Sequence, residues 1–134
     1  MTGLPVPVSR VHVCVKLNIG ACGPFAYFDA DFEPPGPDGG LELLNAVPES
    51  RLPPEFLPAL REGLLEGLDG VAAAVLLTDG RVHEVDSRES GYRIGGREAG
   101  RAALIGAGLL PREAADTLRW ATWPDRPRPR RRRG

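Results

Sequence analysis

Two stretches of strict alternation flank a short glycine-containing loop near the start of the chain, and they constrain the fold more than any other feature. Val11, Val13, Val15, Leu17 and Ile19 alternate with His12, Cys14, Lys16 and Asn18. Ala26, Phe28, Ala30 and Phe32 alternate in the same way with Tyr27, Asp29, Asp31 and Glu33. A period of two marks strands buried on one face. With the loop IGACGP over residues 19–24 between them, the two strands read as a hairpin. At 134 residues and 42% apolar content, the chain has material for a single two-layer core.

Further elements follow in order. Residues 34–40 (PPGPDGG) form a turn, because proline removes amide donors and glycine permits positive φ. Residues 41–47 read as a short third strand. Phe56, Leu60, Leu64 and Leu68 recur at helical spacing, and this spacing predicts a helix that starts near Pro58 and is ended by Gly67 and Gly70. The apolar run over residues 71–77, closed by the turn dipeptide Asp79-Gly80, suits a buried fourth strand. Within residues 87–108, Gly91, Gly95, Gly96, Gly100 and Gly106 are each unfavourable in a helix interior by about 1 kcal/mol relative to alanine. A helix is still expected there. Asp86 and Glu89 resemble a capping box, and Gly91, Gly95, Ala99, Ala102 and Gly106 form one small-residue face that could approach the sheet closely. Residues 116–123 (DTLRWATW) alternate as a final strand, with Leu118, Trp120 and Thr122 on one side.

The expected organisation is an extended lead-in over residues 1–10, one domain over 11–124, and a disordered Arg/Pro-rich tail over 125–134. Charge divides along the same boundary. The tail carries +5 and the body −6, within a formal total of −1. No apolar run is long enough for a membrane helix, and the first residues lack a secretory pattern, so the expectation is a soluble cytoplasmic protein with no membrane partner. Cys14 and Cys22 are expected as free thiols. His12, Cys14, Cys22 and His83 match no common zinc spacing, and Ser87 and Ser90 with the neighbouring acids are better explained by helix capping than by a triad. No metal, cofactor or enzymatic activity is expected.

Three stretches in register carry a family resemblance. GACGPFAYFDADFEP (20–34), LPPEFLPALREGLLEG (52–67) and LTDGRVHEVDSRESGYRIGG (77–96) resemble consecutive motifs of domain IV of elongation factor G, the ribosomal translocase. The resemblance implies an α+β two-layer sandwich like the second domain of ribosomal protein S5: a four-stranded mixed sheet, two helices on one face and a left-handed crossover. To that fold this chain would add a C-terminal strand. The sequence contains no Gly-x-x-x-x-Gly-Lys-[Ser/Thr] phosphate loop, so no GTP binding or hydrolysis is expected of it.

By the same resemblance, the loops around residues 20–24 and 79–86 would form a tip that enters the small-subunit decoding centre. His83 matches the family's tip histidine, which contacts the codon–anticodon duplex; an imidazole can donate or accept in the shallow minor groove of A-form RNA. Arg81 would contact phosphate. Gly20, Gly23, Asp79 and Gly80 would shape the RNA-binding tip, while Asp86 and Ser87 would shape the loop and cap the next helix. Cys22 and Pro24 stand where the family commonly has polar residues. In the tail, Arg130, Arg131, Arg132 and Arg133 would add salt-dependent attraction to rRNA phosphate. The function expected is ribosome or rRNA binding by a stand-alone module. The alternative is a protein-interaction module that kept the fold, possibly as partner of a separate GTPase subunit.

Overall fold

The computed structural model describes residues 2–16, 26–83 and 87–127. Strands β1 (Val8–Val15), β2 (Ala26–Glu33), β3 (Leu41–Asn45), β4 (Ala73–Gly80) and β5 (Ala121–Thr122) form one mixed sheet in the order β3-β4-β2-β1-β5. Helices α1 (Leu57–Leu68) and α2 (Glu89–Gly106) cover one face. Among the described residues the sheet has five strands, not four with an appendage, because β5 pairs antiparallel with β1. β2 pairs antiparallel with both β1 and β4, and β3 runs parallel to β4.

Over residues 11–15 and 26–33 the alternation read from the sequence is the alternation observed, while Leu17 and Ile19 lie outside the described residues. Val11, Val13, Val15, Ala26, Phe28, Ala30 and Phe32 are all fully buried, and β1 and β2 pair with Val13 opposite Phe28 and Val11 opposite Ala30. β1 starts earlier than expected, at Val8, because a bulge between Val8 and Val11 resets the phase. Arg10 there adopts φ +58°, and its amide donates to Asp31 Oδ1 at 2.8 Å. The lead-in belongs to the fold: Leu4 is buried and its amide donates to Ala72 O at 2.8 Å.

Glycine sets the distance between the helices. A Cβ on Gly63 would lie 2.1 Å from Arg93 O, one on Gly67 2.1 Å from Arg97 O, and one on Gly96 2.4 Å from Leu60 O. The two backbones touch. Gly67 therefore does not end α1 as expected; Asp69 does, in the left-handed region at φ +47°. On the other side of α2, a Cβ on Gly95 would meet Phe28 at 2.9 Å and Val13 at 3.0 Å, so the expected close approach to the sheet is present. Arg93 Nε donates to Glu66 Oε1 at 3.1 Å across the exposed side of the helix pair.

The C-terminal segment departs most from expectation. A 3-10 helix (Arg112–Thr117) precedes it, only two residues form strand, and the inward residues are Leu118, Ala121 and Trp123. Glu98 explains the change of phase. Its buried carboxylate accepts the amides of Arg119 (3.0 Å), Trp120 (2.7 Å) and Ala121 (3.0 Å). Three consecutive amides cannot converge on one group from a flat strand, where successive amides point in opposite directions, so the chain bends around the carboxylate. Arg126 closes the turn from the other side. It donates to the carbonyls of Ala121, Ala115 (2.9 Å) and Leu118 (3.0 Å), and is thus anchored to the domain although the sequence groups it with the tail. The tail residues 128–134 lie outside the described residues.

Gly67→Ala should destabilise the domain by about 1–3 kcal/mol in urea denaturation, because overpacking outweighs the roughly 1 kcal/mol gained in helix propensity. Gly36→Ala, whose Cβ would meet only Glu42 at 3.5 Å, should be nearly neutral. Glu98→Ala leaves three amides without their acceptor and should cost about 2–5 kcal/mol, with Glu98→Gln losing less.

Candidate functional site

β1 ends, β2 begins, β4 ends and α2 begins at one end of the sandwich: Val15 pairs with Ala26, and Phe28 pairs with Gly80. The connections β1–β2 and β4–α2 therefore both emerge there. Residues 17–25 and 84–86, which include Gly20, Gly23, Cys22, Pro24 and Asp86, lie outside the described residues. Asp79, Gly80, Arg81 and His83 are described and lie together at this end.

Asp79 and Gly80 are not a free turn dipeptide. They are the last residues of β4, carried past the expected end by a register shift against β2 that places Asp79 opposite Asp29 and Gly80 opposite Phe28. Asp79 Oδ1 accepts the Gly80 amide at 2.9 Å. Arg51, which sequence reasoning missed, holds the same point: its Nε donates to Gly80 O at 2.9 Å and its Nη2 lies 3.1 Å from Asp79 Oδ1. Space at position 80 is tight, since a Cβ would lie 3.3 Å from Arg51 O and 3.4 Å from Leu52. Nothing local in the sequence marks Arg51, because its partners are 28 and 29 residues away.

Arg81 is exposed. Its amide donates to Tyr27 O at 3.1 Å and its guanidinium sits 5.2 Å from the centroid of the Tyr27 ring, a cation–π contact that aligns it along the open face of the sheet. His83 is half-buried; its amide donates to Ser87 Oγ at 2.9 Å and its carbonyl accepts the Ser87 amide at 2.9 Å. The expected capping box does not start α2. Arg88 is the N-cap, without a side-chain cap hydrogen bond, and Glu89 is the first helical residue, so Ser87 serves the loop instead.

Tyr92 lies beneath this loop, fully buried and stacked on Phe56 with ring centroids 4.6 Å apart. Its hydroxyl donates to Arg81 O at 3.4 Å. Burial pushes the phenol above its ordinary value of 10.0, against smaller opposing hydrogen bonds from Ser87 and the Tyr27 backbone. One buried ring thus supports both Arg81 and Ser87. The accessible cations of this end are Arg51, Arg81 and Arg88, with Lys16 beside the first loop. His12, on the open face, is occupied by Asp29, with Nδ1 and Oδ1 2.5 Å apart.

Residues 7–108 match the family of elongation factor G, domain IV. The chain belongs to that family. A crystal structure of a Thermus thermophilus protein superposes with a TM-score of 0.58 at 18% sequence identity, covering 76% of this chain and 17% of the other. At that identity the likeness concerns the fold, and the chain spans about a sixth of the length of that protein. The match ends at residue 108, so the segment pinned by Glu98 and Arg126 lies beyond the family region.

Among the described residues the basic side chains are not gathered in one place. Arg81 and His83 are at the Val15 and Gly80 end, whereas Trp123 and Asp125 lie beside Val8 and Arg10, where β1 begins. An eight-residue strand separates these ends by about 25 Å. Arg126 therefore belongs to the base.

Raising the pH tests the support beneath the tip. A phenol whose folded value is raised contributes stability that is complete below the unfolded value and declines as pH rises towards the folded one. Tyr92→Phe should lose about 1 kcal/mol near pH 7, and the gap to wild type in urea denaturation should narrow above about pH 10.

Proposed function

We propose that this domain binds the ribosome near the small-subunit decoding region through its tip, with His83 and Arg81 as the contacting side chains. Family membership supports the ribosome as target. The observation that carries the choice of surface is the grouping of Arg81, Arg51 and His83 where both tip connections emerge, braced from below by Tyr92. The imidazole of His83 would meet 2′-hydroxyls or base edges in a shallow A-form groove, and Arg81 would meet phosphate. Arg51 would act indirectly, by fixing the carbonyl of Gly80 and so the direction in which the chain leaves β4. Without a phosphate loop in its 134 residues, the domain would occupy its site without hydrolysing GTP itself. Arg128 and Arg130 to Arg133 would add a second, sequence-independent attachment to rRNA.

Co-sedimentation of the intact protein with small subunits across a salt series tests this reading. Binding is expected at low salt, and its absence there would refute the proposal. His83→Ala should weaken binding by about 1–3 kcal/mol without changing the salt slope. Deletion of residues 128–134 should flatten the slope by about 0.7–0.9 for each phosphate that the tail neutralises. Loss of binding on tail deletion, with His83→Ala silent, would favour a protein-interaction module in place of a tip-specific one.

A further inference from the structure

The two edges of the sheet are treated differently. β5 is two residues long and is followed by Pro124, which blunts that edge. β3, at the other edge, is LELLN, with three leucines, no proline, no lysine and no bulge. Its outward backbone groups can be assigned. Gly40 O accepts the Ala73 amide and the Ala46 amide donates to Leu77 O, both at 3.0 Å. In a parallel ladder alternate residues bond one neighbour, so residues 40, 42, 44 and 46 face β4, and Leu41, Leu43 and Asn45 present their amides and carbonyls outward. Two of the more exposed large apolar side chains lie along this edge: Leu44, 50% exposed on the open face, and Leu65, 45% exposed on α1 beside Gly40 and Leu41.

We propose that β3 pairs antiparallel with β3 of a second copy, about a two-fold axis through Leu43, joining two sheets into one of ten strands. The strand is self-complementary in that register. Leu41 stands opposite Asn45, and Leu43 opposite itself, so all three outward residues of each copy are bonded. Leu41 and Leu43 of both copies meet on the helix side, in line with the buried Ala73 and Val75. On the open side each Glu42 stands opposite the partner's Leu44, so its methylenes cover an exposed leucine and the carboxylates stay apart. A register centred on Glu42 would oppose the two carboxylates, and one centred on Leu44 would bond fewer outward residues. The interface is isologous and closed, and it covers the only long open edge among the described residues.

Sedimentation velocity of the full chain, from micromolar to submillimolar concentration, tests the pairing. A concentration-dependent dimer is expected, and a monomer throughout would overturn the proposal. Substitutions at the exposed Leu44 leave folding intact and read the register by sign. Leu44→Glu opposes Glu42 of the other copy at two symmetric places and should raise the dimer dissociation constant about tenfold or more, whereas Leu44→Lys faces opposite charge and should keep or tighten the dimer. Equal effects from the two variants would overturn the register. Leu43→Pro removes an outward amide that β4 does not use and should yield a folded monomer by circular dichroism and sedimentation; a dimer that survives it uses another surface and refutes the assignment.

Discussion

Gly63 and Gly67 on α1 face Gly96 and Gly100 on α2 so closely that carbonyls of one helix occupy the space where side chains of the other would begin. The separation of the two helices is set by this approach. With α2 drawn against α1 on one side and resting through Gly95 on Phe28 and Val13 on the other, its axis has no freedom to shift. The first residues of α2 are thereby fixed over the end of β4, and Tyr92 is placed between Phe56 and the loop that carries Arg81 and His83. The geometry of the tip depends on residues that have no side chains and lie a turn or more away from it.

Much of this architecture is legible in the alternation of β1 and β2, whose inward residues are those of period two. Legibility fails where one chemical group controls several residues at once. The bulge at Arg10 hides the first turn of β1, because its reason is a carboxylate on the neighbouring strand. The phase of the C-terminal strand differs from expectation for the same kind of reason: Glu98 gathers three successive amides and breaks the alternation that Leu118, Trp120 and Thr122 suggest. A signal is present, since Glu98 is the charged residue on a helix face otherwise buried through glycines, alanines, Tyr92, Leu104 and Ile105. The glycines of α2 suggest one small-residue face, whereas they serve two, one against the sheet and one against α1.

At the tip, His83, Arg81, Asp79 and Gly80 are identifiable by their resemblance to a family motif, and the fold brings these four together. Arg51 is not identifiable in that way. Its side chain reaches across from the segment between β3 and α1 to Gly80 O and Asp79, a long-range contact with no periodicity to betray it. Asp79 is also a strand residue, with its carboxylate shared between the Gly80 amide and Arg51 rather than free for a ligand.

The clasp made by Glu98 and Arg126 fixes where the polypeptide leaves the domain. Gly3 and Leu4 enter beside Ala72 at the start of β4, and Trp123 to Asp125 depart beside the start of β1, so both connections lie at the end remote from His83. A reporter or a neighbouring domain joined just before Gly3 or just after Asp125 would start at the end opposite His83. A pull between those two points would act on the starts of β4 and β1 rather than on the connections at the far end.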